Sequence, residues 1–150
     1  MILITDSFVI QRPLEDVFSY VSTLENLPHW AKGVQSVTRS PEGPIGVGTV
    51  FHVSGSMAGR QLTVAYRITE FEPSAKMSAT GTFAFLRFSE TFGFQPTEDG
   101  TRVSLRNEME PKGIATLGTP LWRLVLGSQI RGDNRRLKKV LEARSDRGER

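Results

Sequence analysis

Two polar residues stand where the alternation of their segments requires apolar ones. Glu90 shares the parity of Phe88, Phe92 and Phe94, and Asn107 that of Val103, Leu105 and Met109, so both point to the face those segments bury. Tyr66 lies on the apolar face of a third alternating segment, beside Leu62, Val64 and Ile68. A carboxyl, an amide and a phenol form the one inward polar set in the chain, and their chemistry is proton donation and acceptance. Joining segments 85–96 and 101–110 by a four-residue loop, Thr97 to Gly100, puts Glu90 directly opposite Asn107 and Arg87 opposite Glu110. A two-residue Asp99-Gly100 turn makes Glu90 and Asn107 diagonal neighbours instead. The first register is preferred, because Pro96 then ends a strand and does not interrupt a ladder. A carboxylate among aromatics is costly unless hydrogen-bonded or neutral. Glu90 is therefore expected at an opening to solvent, against a ligand, or poised with a raised pKa for acid–base work.

Other chemistries are excluded or weak. The chain has no cysteine, which removes thiolate zinc sites, iron–sulfur ligation and Cys nucleophiles. Its two histidines, His29 and His52, lie on different elements, so no metal site is expected, and His52 reads as solvated. Ser54, Ser56 and Ser89 have no base and orienting group at a triad's disposal. Gly43, Gly46 and Gly48 lack the Gly-Lys-Ser/Thr ending of a phosphate loop and lead into a strand, so they read as a turn. No cofactor is expected.

These residues must be positioned by an α+β domain. Residues 1–10 read as a strand. A helix follows with Leu14, Val17, Phe18 and Val21 on one face and Glu15 and Asp16 in its first turn, then a short helix, 24–31, interrupted by Pro28. Six strands come next, the first at 34–39 and the others from Thr49 onward, where the period changes to two and turns fall at Ala58-Gly59, Glu72-Pro73-Ser74 and Thr97–Gly100. The last segment reads as a helix from Thr119, an N-cap candidate with Pro120 behind it, to about Arg144. Leu121, Leu124, Val125, Leu137, Val140 and Leu141 are its expected apolar face. About 25 residues give ~37 Å, enough to cross a sheet of ten-residue strands. A curved antiparallel sheet closed by one long helix has an interior of its own.

At 150 residues, 38% hydrophobic and 23% charged, the chain has the profile of one folded domain, expected over 1–144 with a frayed tail at 145–150. It lacks a signal-like start or a long apolar run, so a cytoplasmic protein with no membrane insertion is expected. The net charge of +3 arises after residue 120: ten Lys and Arg face twelve Asp and Glu before it, nine face four beyond it. Arg131, Arg135, Arg136, Lys138 and Lys139, with Asp133 and Asn134 among them, read as a charged solvent face, and no nucleic-acid affinity beyond the non-specific is expected. Leu121–Leu126 is apolar nearly all round, which suggests burial on both sides, under the sheet and under loop 111–118, or else a lid or dimer contact through Trp122. A monomer or weak homodimer is expected.

The order of short motifs resembles the Bet v 1-like, START-related superfamily, and within it the bacterial polyketide cyclase/dehydrase and lipid-transport group. They run Ile10-Gln-Arg-Pro-Leu-Glu-Asp-Val-Phe18, Leu27-Pro-His-Trp30, Gly46-Val-Gly-Thr49, Tyr66-Arg-Ile-Thr-Glu-Phe-Glu-Pro73, Phe92-Gly-Phe-Gln-Pro96 before Gly100-Thr101, and Leu137-Lys-Lys-Val-Leu-Glu142. The resemblance implies a helix-grip fold, in which a curved sheet wraps the last helix around an apolar cavity. It implies no reaction and supplies no catalytic motif.

The expected cavity lining is Trp30 before the sheet, Phe51 and Val53, then Leu62, Val64 and Tyr66, Met77, then Phe88, Glu90 and Phe92, Leu105 and Asn107, and finally Leu121 and Val125 on the helix. The expected function is binding or carriage of a lipid-like or aromatic small molecule. The alternatives are a polyketide cyclase, aromatase or dehydratase using Glu90, Asn107 and Tyr66, and a macromolecule-binding module using the basic helix.

Overall fold

A computed structural model describes residues 1–57, 59–83, 86–111 and 119–146. The order is β1 (Ile2–Ile10), α1 (Leu14–Ser22), a 3-10 helix (Leu24–His29), β2 (Val34–Ser40), β3 (Val50–Met57), β4 (Arg60–Glu72), β5 (Lys76–Phe83), β6 (Leu86–Pro96), β7 (Thr101–Pro111) and α2 (Thr119–Asp146). The seven strands form one antiparallel sheet in the order β1-β7-β6-β5-β4-β3-β2, with α2 across its concave face. This is the helix-grip architecture.

Every sequential pair from β2 to β7 is antiparallel, joined by short hairpins except for the longer 41–49 loop between β2 and β3, and β1 returns to the far edge against β7. The β6–β7 loop has four residues. Pro96 pairs with Thr101, the Thr97 N–H donates to the Gly100 carbonyl at 2.8 Å, Glu90 faces Asn107, and Arg87 faces Glu110. Alternation sends Phe88, Phe92, Phe94, Val103, Leu105 and Met109 inward, each 6% exposed or less. At β3 two glycines permit a close crossing. Gly33 adopts φ +86° and its carbonyl accepts from the Ser56 N–H at 2.9 Å, while a Cβ on Gly55 would stand 2.2 Å from that same oxygen.

Among the described residues the interior divides into two apolar clusters. The larger gathers α1, the 3-10 helix and the β6–β7 hairpin end around Ile10, Val17, Phe18, Phe94 and Val103, with Leu137 and Leu141 of α2. The smaller holds Ile2, Ile4, Leu86, Phe88, Met109 and Leu126. A band of inward polar residues lies between them. Asp6 on β1 accepts from Asn134 Nδ2 of α2 at 2.9 Å, and Glu90 accepts from Asn107 Nδ2 at 2.9 Å.

The first half of α2 corrects the expected apolar face. Leu121, Leu124 and Val125 are 65%, 72% and 49% exposed. At 100° per residue the inward face is set by Leu126, Ile130, Asn134, Leu137 and Leu141, which puts those three on the opposite side. Asn134, expected on the solvent face, is 3% exposed. The helix also runs through Ser145 and Asp146, two residues into the expected tail. The N-cap expected of Thr119, the contact expected of Trp122, Ala58 of the β3–β4 turn, residues 112–118 and the end of the tail lie outside the described residues.

Candidate functional site

Between the sheet and the first half of α2 lies a cavity of about 210 Å³. Its walls come from four directions. Val53, Leu62, Val64, Tyr66, Met77, Ala79, Phe88 and Phe92 rise from β3 to β6, and Leu105, Asn107 and Met109 from β7. Val21, Leu24, Leu27 and Trp30 close one side from α1, the 3-10 helix and the turn after it; Leu126, Gln129, Ile130, Asp133 and Asn134 form the roof. A second recess lined by Val125, Ser128, Gly132 and Arg136 shares Lys32, Gly33, Ser56 and Gln129 with the cavity, and those shared residues mark its mouth.

Most of the residues expected from the sequence come together here: Trp30, Val53, Leu62, Val64, Tyr66, Met77, Phe88, Glu90, Phe92, Leu105 and Asn107. Three do not. Phe51 is wholly buried in the larger cluster, where the packed interior leaves it no cavity surface, with the Arg39 guanidinium 5.7 Å from its ring. Leu121 faces solvent, and Val125 reaches only the outer recess. The first-half residues of α2 that do line the cavity, Leu126, Gln129, Ile130 and Asp133, were hidden in a stretch apolar nearly all round and then in a basic one. Spacing by four from Leu126 through Ile130 to Asn134 is the signal that finds them.

Glu90 is the electrostatic centre of the cavity. Burial pushes its carboxyl up to about 7, with the nearby Asp133 charge adding to the rise and the Asn107 hydrogen bond opposing it. Burial also raises the Tyr66 hydroxyl well above its usual range, helped by the charges of Glu90 and Asp133. The Tyr66 ring lies 4.8 Å from that of Phe88, the inward neighbour of Glu90. At the mouth, Asp133 accepts from the Lys32 backbone N–H at 3.0 Å and pairs with Arg136, yet desolvation still outweighs these partners and raises its carboxyl. Arg136 also donates to the Trp30 carbonyl at 3.1 Å. His29 and His52 are both exposed, and among the described residues no cluster of three His, Asp or Glu could hold a metal ion. No described helix is long and apolar enough to cross a membrane.

A hollow helix grip with an apolar interior and a few inward polar groups has the build of a domain that encloses a small hydrophobic molecule. The chain belongs to the family described as polyketide cyclase/dehydrase and lipid transport, whose model matches residues 1–142. No curated protein matches it significantly. Among solved structures it resembles the Zhui aromatase/cyclase from Streptomyces sp. R1128, with TM-score 0.79 and 13% identity over 95% of this chain and 94% of that one. A START superfamily protein from Mycobacterium smegmatis gives 0.75 and 14% over 97% of each chain. Ara h 8.0201 gives 0.75 and 18% over 94% and 97%. At these identities the likeness is one of fold.

Proposed function

We propose that the protein binds a compact hydrophobic molecule, lipid-like or aromatic, in the internal cavity and acts as its carrier or binding protein. The observation that carries this reading is the cavity itself, lined by apolar side chains from six strands and three helices. Its volume lies below the usual 300–1,000 Å³ of ligand pockets, so the molecule is small. Mass spectrometry of an organic extract of the purified protein is the test, followed by displacement of a fluorescent aromatic probe. A stoichiometric apolar ligand supports the reading; an empty protein that displaces no probe overturns it.

A second reading, an enzyme of the cyclase, aromatase or dehydratase kind on a polyketide-like substrate, is favoured by the Glu90 carboxyl held near neutrality beside Asn107 and Tyr66. Under it, Glu90→Gln abolishes turnover and leaves binding nearly unchanged, and equal activity in both forms removes that role. The macromolecule reading is weakened by the spatial use of the basic residues. Lys138 donates to the Val9 carbonyl at 2.6 Å and to Glu142 at 2.7 Å, and Arg136 is held by Asp133 and Trp30.

A further inference from the structure

Three polar groups on the cavity wall have hydrogen-bonding capacity that the described protein leaves open. Asn107 is 5% exposed and donates through Nδ2 to one oxygen of Glu90 at 2.9 Å, while its own Oδ1 has no partner. The second carboxyl oxygen of Glu90 and the hydroxyl of Tyr66 make no hydrogen bond to a described residue, and both side chains line the cavity. The strand between them carries small inward residues. Ala79 on β5 faces Glu90, and the next inward position is Gly81, where a Cβ would stand 2.7 Å from the Phe88 ring and 2.5 Å from the Ala65 carbonyl oxygen. Gly81 thus makes room for the Phe88 ring against Tyr66, the small Ala79 lines the cavity beside Glu90, and Glu90, Asn107 and Tyr66 all line that one space. A buried amide with an empty acceptor is an unusual feature in a folded protein and asks for a partner.

The charge around this space defines that partner. Among the described residues Lys32 is the one cation that lines the cavity, and it stands at the mouth, while the wall and roof carry Glu90 and Asp133. A carboxylate or phosphate headgroup placed at the wall would meet two acidic groups and no counter-ion. A hydroxyl meets acceptors for its proton and a phenolic donor for its oxygen.

Resting on the ligand-binding reading above, we propose that Glu90, Asn107 and Tyr66 form a head-group site for an uncharged hydroxyl on an otherwise apolar, compact ligand. The hydroxyl donates to the open oxygen of Asn107 or Glu90 and accepts from Tyr66 Oη, and molecules with an anionic head are excluded from this orientation. A site built from buried polar groups discriminates strongly against an analogue that leaves them unpaired.

The test uses three bicyclic aromatic probes, 2-naphthol, 2-methylnaphthalene and 2-naphthoate, titrated calorimetrically into the intact protein at neutral pH. The expected result is that 2-naphthol binds about tenfold tighter than 2-methylnaphthalene, with 2-naphthoate weakest, as one or two net hydrogen bonds would give. Asn107→Leu narrows the preference for the hydroxyl to about twofold while 2-methylnaphthalene still binds. Tyr66→Phe, which keeps the ring and its packing, weakens 2-naphthol about threefold and leaves 2-methylnaphthalene unchanged, so the proposal remains testable should the Asn107 variant not fold. Equal binding of the two neutral probes to the wild type, an undiminished preference in Tyr66→Phe, or 2-naphthoate as the tightest ligand overturns the head-group site while leaving ligand binding intact. Binding of none of the probes overturns both.

Discussion

The two halves of α2 do different work. Its C-terminal half is fastened. Leu137 and Leu141 are buried to 0% and 1% exposure against Ile10, Val17 and Phe18. The buried Arg12 guanidinium donates to the Leu141 carbonyl at 2.9 Å while pairing with Asp16. Glu142 accepts from the Gln11 N–H at 2.9 Å, and Lys138 donates to the Val9 carbonyl. The half that precedes Gly132 has no side-chain hydrogen bond to the sheet among the described residues; it buries Leu126 and part of Ile130 and leaves Leu121, Leu124 and Val125 in solvent. Beneath it lies the cavity. An unfilled space of this size forgoes packing on the order of 5 kcal/mol, at about 24 cal/mol per Å³. The fastened half supplies the stability against which the hollow half is tolerated, and the difference separates residues that hold the fold from residues that meet a ligand.

The comparison breaks most visibly in paired truncations. Leu137→Ala removes a fully buried side chain from close-packed neighbours and is expected to cost about 4 kcal/mol, whereas Leu126→Ala only enlarges an existing space and costs about 2 kcal/mol. Urea unfolding of both variants measures the gap. Equal losses would mean that the two halves are packed alike.

Acidity sharpens the same contrast. Glu90 has a folded pKa of about 7 against an ordinary 4.5, so the native state holds its proton more tightly than the unfolded chain does. The stability this contributes is complete below about pH 4.5 and is lost as pH rises through about 7. Glu90→Gln keeps the acceptor for Asn107 and removes the titration. Its stability should match the wild type near pH 4.5 and exceed it by up to about 3 kcal/mol at about pH 8. Taking the difference between the two proteins isolates Glu90 from Asp133, whose carboxyl is also raised, and from Glu25, Glu70 and Glu142, which shift the opposite way. Parallel curves for the two proteins would place Glu90 in a wetter setting than the cavity wall.

Adding volume separates the halves next. Ala79→Leu puts methyl groups into the cavity, so its stability should stay within about 1 kcal/mol of wild type while probe binding is lost. Val103→Leu forces the same kind of growth into the closed cluster, where Val103 is wholly buried, and should cost about 2 kcal/mol with binding retained. Calorimetric unfolding and a probe titration on each variant check both outcomes.

Legibility in the sequence follows physical uniqueness. The Glu90–Asn107 pair could be placed because strand parity admits two faces and Pro96 chose between two registers, and β6 and β7 pair in the preferred one. Parity also sent Phe51 inward, but it cannot distinguish a packed interior from a hollow one, which depends on how neighbouring elements fill space. The inward face of α2 was harder. From Leu121 to Leu126 nearly every direction is apolar, so periodicity has no unique answer, and Asn134 looked like surface among arginines. Its partner Asp6 carries the clue: it breaks the inward row Ile2, Ile4, Phe8 and Ile10 of β1, as Glu90 breaks that of β6.

The smallest effect belongs to the outer side of the hollow half. Leu124 is 72% exposed, so its replacement by Gln removes little buried apolar area and puts no polar group out of water. Glutamine has nearly leucine's helix propensity, which leaves no local penalty in α2. Leu124→Gln should therefore shift unfolding by less than about 0.5 kcal/mol and leave 2-naphthol affinity unchanged, since the side chain lines neither the cavity nor its mouth. Thermal unfolding and a single titration suffice. A loss comparable to that of Leu126→Ala would show that this face is covered in solution, and the contrast between a fastened and a hollow half would then have to include whatever covers it.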